Sequence, residues 1–128
     1  MTAKLPPPTN AELEILKILW ADGPQTVRDV HEKIHRLRPV GYTTVLKLLQ
    51  IMTEKGLVVR DESERSHVYA AASDETVVTR HLVRDLVDRA FEGSAAKLVM
   101  QVLAAKPAST KELREIRNLL DEMNRRTP

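Results

Sequence analysis

Gly41-Tyr-Thr-Thr-Val-Leu-Lys-Leu-Leu-Gln-Ile-Met-Thr-Glu-Lys-Gly56 is the stretch whose reading decides the fold. At 100° per residue, Val45, Leu48, Leu49 and Met52 share one face, while Thr43, Lys47, Gln50 and Glu54 line the opposite one. The spacing predicts a helix over 43–55. Thr43 or Thr44 is expected to cap its free N–H groups, and Gly56 supplies the left-handed residue that closes a helix C-terminus. The exposed side chains of the first two turns offer two hydroxyls, an ammonium and an amide, all able to bond base edges or phosphates. That makes the helix a candidate for DNA recognition. An amphipathic helix with a merely solvated face has the same pattern, so the flanking chain has to decide.

Upstream, Thr9 and Glu12 form a T-x-x-E capping box ahead of a first helix, with Leu13, Ile15, Leu16, Leu19 and Trp20 apolar and Asp22-Gly23-Pro24 as its stop. Leu5 to Pro8 reads as a stiff, extended lead-in. Thr26 caps a second helix in which Val27, Val30, Ile34 and Leu37 recur at spacings of three, four and three, and Arg38-Pro39 ends it. Downstream the period changes to two. Leu57-Val-Val-Arg60 and Ser66-His-Val-Tyr-Ala70 read as strands around the polar turn Asp61 to Arg65. Leu57, Val59 and Val68 are expected to seat this hairpin on the helices, since two short strands are not stable alone.

Three helices followed by a hairpin is the winged helix-turn-helix pattern. Three more helices follow: one capped by Ser73 or Asp74 and running to about Glu92, one from Ser94 to Ala105, and one opened by the Ser109/Glu112 capping box. The fold class is therefore mainly α with a small β-hairpin, an N-terminal winged helix-turn-helix over residues 1–72 followed by a three-helix C-terminal dimerisation region over 73–128. A helical unit of that size buries too little of its own surface for stability, since even a ~60-residue domain buries only about 60%. Its apolar residues Val78, Leu82, Leu86, Phe91, Leu98, Val102, Leu113, Ile116, Leu120 and Met123 are expected to pack against a second copy of the chain.

The 128 residues are 42% hydrophobic and 30% charged, enough for one domain or two small ones. The chain has no cysteine, which removes disulfides, thiolate metal sites and a cysteine nucleophile, and suits the reducing cytoplasm where we expect the protein to work. No run approaches the roughly 18 apolar residues of a membrane span. Net charge is only +2, but residues 26–60 carry seven Lys/Arg against three Asp/Glu, concentrating positive charge around the proposed reading helix. Aromatic residues make up 3%, too few for the stacking platforms that bind single strands.

The chain carries the motifs T-x-A-E-L-E-I-L-x-x-L-W (Thr9 to Trp20), T-V-R-D-V (Thr26 to Val30), Y-T-T-V-L-x-x-L-Q (Tyr42 to Gln50), K-G-L-V (Lys55 to Val58) and H-V-Y (His67 to Tyr69). With weaker similarity through Gly93 to Val99 and Glu112 to Leu120, they resemble the BlaI/MecI family of penicillinase repressors along nearly the whole chain. The resemblance implies a homodimeric repressor on an inverted-repeat DNA operator. It also implies relief of repression by cleavage in the C-terminal half, triggered by a membrane sensor protease. By position the scissile bond is Gln101-Val102, where the chain departs from the Asn-Phe pair expected there. Copper-thiolate sensing, used by one branch of the family, is excluded by the lack of cysteine. Ile51 stands where many relatives carry a basic residue, and Leu46 replaces a polar one in some.

Candidate groove contacts are Thr43, Thr44, Leu46, Lys47 and Gln50: Lys47 for guanine or phosphate, Gln50 for adenine, the threonines for phosphates, Leu46 for a thymine methyl. Thr26 and Arg28 open the second helix, where free N–H groups favour a phosphate, though capping alone would account equally for Thr26. Tyr42 either bonds a phosphate or fills the joint before the reading helix. Arg60, Arg65 and His67 belong to the wing, beside Asp61, Glu62 and Glu64, which repel phosphates. His31 and His35 have the i, i+4 spacing that holds a metal, but with no second side-chain pair evident we read them as structural and expect no metal or cofactor. There is no phosphate loop, nucleophile motif or HExxH, so we expect no enzyme. A winged-helix module that binds proteins and not DNA is the alternative from a different class.

Overall fold

The computed structural model describes residues 7–127, so the expected lead-in at Leu5–Pro8 lies partly outside the described residues. The first helix, α1 (Asn10–Asp22), starts with the expected capping box: the Thr9 hydroxyl accepts from the Glu12 N–H and the Glu12 carboxylate accepts from the Thr9 N–H. It ends where Gly23 turns to φ +81°, ψ −168°, a conformation that side chains disfavour. The second helix, α2 (Val27–Leu37), is capped by the Thr26 hydroxyl, which accepts from the Asp29 N–H.

The decisive stretch is helical as α3 (Tyr42–Lys55). Its start differs from expectation. Gly41 holds the cap position and no side chain bonds the free N–H groups, so neither Thr43 nor Thr44 is a cap and Tyr42 is the first helical residue. Both hydroxyls are thereby left for other partners. Gly56, at φ +81° and ψ +14°, closes the helix, and the Leu57 N–H reaches back 2.9 Å to the Met52 carbonyl.

A strand that the periodicity did not reveal, β1 (Gln25–Thr26), joins β2 (Val58–Asp61) and β3 (Val68–Ala71) in an antiparallel sheet of order β1-β3-β2. Tyr69 on the central strand stands opposite Gln25 on one side and Arg60 on the other. Leu57 is buried as expected, and this register corrects the rest of the expected hairpin packing. Val58 and Tyr69 are buried and Val68 only half-buried, whereas Val59 is 56% exposed. Side chains alternate between faces along a strand, so burying Val58 turns Val59 outward.

The core takes Ile15, Leu16 and Leu19 from α1, Val30 and Ile34 from α2, Val45, Leu49 and Met52 from α3, and Val58 and Tyr69 from the sheet. At about 1.5–3 kcal/mol per fully buried apolar side chain, ten such residues dominate the stability of this part of the chain. Trp20 is half-buried against it, and its indole N–H donates to the Ser73 carbonyl at 2.9 Å.

The chain divides into two compact units, one reaching to Asp85 and the other starting at Leu86. The division falls inside α4 (Glu75–Ala90), whose start is capped by the Asp74 carboxylate. Val78, included in the expected chain-to-chain set, packs on the core of the first unit. The second unit contains α5 (Ala95–Ala105), capped by Ser94, and α6 (Thr110–Arg126), which starts with the Ser109/Glu112 capping box. No residue of α4, α5 or α6 is buried.

Candidate nucleic-acid interface

The apolar face of α3 is spent on the core, and its other face is open: Thr43, Thr44, Lys47 and Gln50 are all exposed. Lys47 has no ion-pair partner among the described residues. It is a free ammonium in the second turn of a helix anchored along its opposite side, the arrangement a groove-reading helix needs. Leu46, expected at the same edge, is half-buried and packs partly on the core.

Beside that edge lies an open cleft of about 310 Å³ lined by Thr26, Arg28, Tyr42, Leu46, Arg65, Ser66, His67 and Tyr69. The start of α2, the start of α3 and the residues leading into β3 meet here, and β1 is the element that brings Thr26 against Val68. Six residues singled out from three separate sequence motifs thus share one surface. Ser66 was not among them. Arg28 makes only a long, exposed contact of 3.4 Å with Glu32, so its guanidinium can exchange partners readily. Arg65 has no ion-pair partner among the described residues.

Arg60, a candidate wing contact, is already paired. The pairing of Arg60 with Tyr69 puts it on the strand face that carries Val58, and its guanidinium lies 2.6 Å from the Glu62 carboxylate. Hydrogen bonding to the Tyr69 hydroxyl, aided by the charge of Glu62, raises its pKa against the opposing effect of burial. The side chain is already committed. In the turn between β2 and β3, the Ser63 N–H donates to the Asp61 carboxylate at 2.9 Å and lowers the Asp61 pKa, keeping negative charge on the wing tip.

The two α2 histidines both turn to one backbone group. His31 Nε2 lies 2.9 Å and His35 Nδ1 3.3 Å from the Val40 carbonyl oxygen, and the His31 ring meets the Tyr42 ring edge-on at 5.7 Å. They tie down the turn that leads into α3. The far end of α3 is tied as well, by Lys55 to the buried carboxylate of Glu12. Sequence spacing gave no sign of that bond, because its partners are 43 residues apart. Gln101 and Val102, where the resemblance put a scissile bond, are exposed residues within α5.

Residues 8–122 match the model of the penicillinase repressor family. The transcriptional regulator BlaI of Mycobacterium tuberculosis is 31% identical over 122 residues, covering 94% of this chain and 88% of that protein. The penicillinase repressor of Bacillus licheniformis is 23% identical over 123 residues, 96% of each chain. Among solved structures, the monomeric form of Bacillus licheniformis BlaI in complex with the blaP half-operator superposes with a TM-score of 0.50 at 25% identity, covering 57% of this chain and 89% of that one.

Proposed function

The chain belongs to the penicillinase repressor family, and from that premise we propose that it is a DNA-binding transcriptional repressor that holds an inverted-repeat operator as a homodimer. Family membership makes it a regulator and not an enzyme. The observation that carries the DNA reading is the exposed edge of α3, with Lys47 unpaired, next to a cleft where Thr26, Arg28, Tyr42, Arg65 and His67 converge. In this reading Lys47 and Gln50 contact base edges, Thr43 and Thr44 contact phosphates, and the cleft follows the neighbouring backbone. The solved half-operator complex of a relative with this fold supports it. Arg60 contributes through the wing's shape, by holding Tyr69 and Glu62 together.

The dimer reading is supported by the second unit. Leu86, Val99, Val102, Leu113, Leu120 and Met123 are each about half exposed, and no residue of α5 or α6 is buried. A helical unit with no interior of its own gains stability by covering these faces with a second copy. Leu113 with Leu120, and Ile116 with Met123, repeat at seven residues along α6 as a helix–helix seam does. Residues 1–72 then hold the DNA and 73–128 pair the chains. Cleavage at Gln101–Val102 by a sensor protease would require α5 to open locally, because proteases bind extended backbone.

No helix among the described residues is long and apolar enough to cross a membrane. Footprinting of the DNA upstream of the chain's own gene tests the proposal. A dimer protects two half-sites whose centres are about 10 base pairs, or a multiple, apart. A single protected half-site would remove the homodimer, and no protection at any upstream sequence would favour a protein-binding module.

A further inference from the structure

At the turn between α2 and α3, His31 and His35 both bring a ring nitrogen to the Val40 carbonyl oxygen. His31 Nε2 is 2.9 Å and His35 Nδ1 3.3 Å from the same carbonyl oxygen, and the two imidazole rings lie 5.3 Å apart. Around a tetrahedral ion with ligand bonds of about 2.0–2.2 Å, neighbouring donors stand roughly 3.3–3.5 Å apart. The two nitrogen-to-oxygen separations are therefore within about half an ångström of a coordination edge, and binding an ion requires His35 Nδ1 to give up the Val40 N–H, now 3.5 Å away, as the rings rotate. We propose that His31 Nε2, His35 Nδ1 and the Val40 carbonyl oxygen form a site for a divalent transition-metal ion of the zinc class.

Two imidazole nitrogens and a carbonyl oxygen match the ligand preferences of such an ion, and water completes the shell on the exposed side of His35. Among the described residues no group of three His, Cys, Asp or Glu side chains could hold a metal. The third donor here is backbone, and residue spacing cannot reveal it. Nearby cations do not block the site: Arg38 is bound to Glu14 at 2.7 Å and Lys33 to Asp22 at 2.9 Å. With an open position and one neutral oxygen, it is weaker than a closed four-ligand structural site.

An ion held there would fix the turn ending at Gly41, the residue before α3, and the His31 ring would carry its effect to Tyr42. The site stands apart from the DNA reading, and its test contains no DNA. Zinc chloride is titrated into the full, metal-free chain while imidazole and backbone amide resonances are recorded. The expected result is joint perturbation of His31 and His35, with Val40 and Tyr42 following, at one ion per chain. His31→Gln and His35→Ala should each weaken zinc binding by roughly tenfold or more. Zinc should also raise the thermal midpoint of the native chain and not that of the double variant. Perturbation confined to His67 and His81, no perturbation at all, or equal zinc affinity in the variants would overturn the proposal. The native-chain spectra decide it even if a variant does not fold.

Discussion

The Glu12 carboxylate, 2% exposed near the start of α1, receives the Lys55 ammonium from the last turn of α3 at 2.9 and 3.0 Å. The pair joins the first turn of α1 to the end of the proposed reading helix. Burial raises the Glu12 pKa, but the Thr9 N–H and the Lys55 charge together outweigh it and leave the carboxyl below its ordinary value of 4.5. A carboxylate with a depressed folded pKa contributes stability that is fully present above its unfolded pKa and lost as pH falls through the folded one. The stability difference between the native chain and Glu12→Gln is therefore expected to be largest at neutral pH and to shrink below about pH 4.5, as followed by urea unfolding across pH.

Lys55→Ala leaves that carboxylate buried without its cation and is expected to cost about 2 kcal/mol, less than a fully buried pair because Lys55 keeps some contact with water. Glu12→Gln combined with Lys55→Ala should recover part of the loss, since both charges are then gone. Additive losses in the double-variant cycle would mean that the two groups do not interact.

Gly23→Ala tests backbone strain without a steric clash. Nothing lies within 4 Å of a Cβ built there, yet its φ of +81° combined with ψ near 180° is nearly reserved for glycine. We expect a loss of about 1–3 kcal/mol from backbone strain, measured by thermal unfolding. An unchanged midpoint would show that the turn between α1 and β1 relaxes freely.

Most of the helices were legible in the sequence because their ends are marked locally: Thr9 with Glu12, Thr26, Gly56, and Ser109 with Glu112 each occupy the expected cap. Gly41 was not read as a cap, since it bonds nothing through a side chain and two threonines stood just behind it. The sheet was harder. Leu57-Val58-Val59 is apolar throughout, so alternation could not say which valine faces inward; the pairing of Arg60 with Tyr69 does. Two-residue β1 is too short to carry any period. Of the candidate contacts, residues near one another in sequence were readable as an edge of α3, but the meeting of Thr26 with His67 depends on β1 pairing with β3.

Within the proposed interface, the committed and uncommitted cations should separate. Arg65→Ala should weaken operator binding and lower the salt slope by about 0.9 for a lost phosphate contact. Arg60→Ala should leave that slope nearly unchanged and instead lower stability, because its guanidinium is held by Tyr69 and Glu62. Equal slopes for both variants would contradict the assignment.

Leu120→Asp puts a charge on the α6 seam, where the native leucine is 55% exposed in the single chain. Sedimentation equilibrium should show the native chain as a dimer and the variant as a 14.5 kDa species with its secondary structure kept. A native chain that sediments as a monomer at micromolar concentration would end the dimer reading. Weaker operator binding by the variant is expected too, since one subunit lacks the linked second half-site.

Fluorescence anisotropy with the DNA upstream of the chain's own gene and a shuffled duplex, using native protein and Lys47→Ala at two salt concentrations, tests the central claim most directly. Native protein should favour the upstream DNA by roughly 10³ or more, and Lys47→Ala should lose about 1–3 kcal/mol of that binding while remaining folded. Equal affinity of the folded variant and native protein for the upstream DNA would contradict the assignment of α3 as the reading helix.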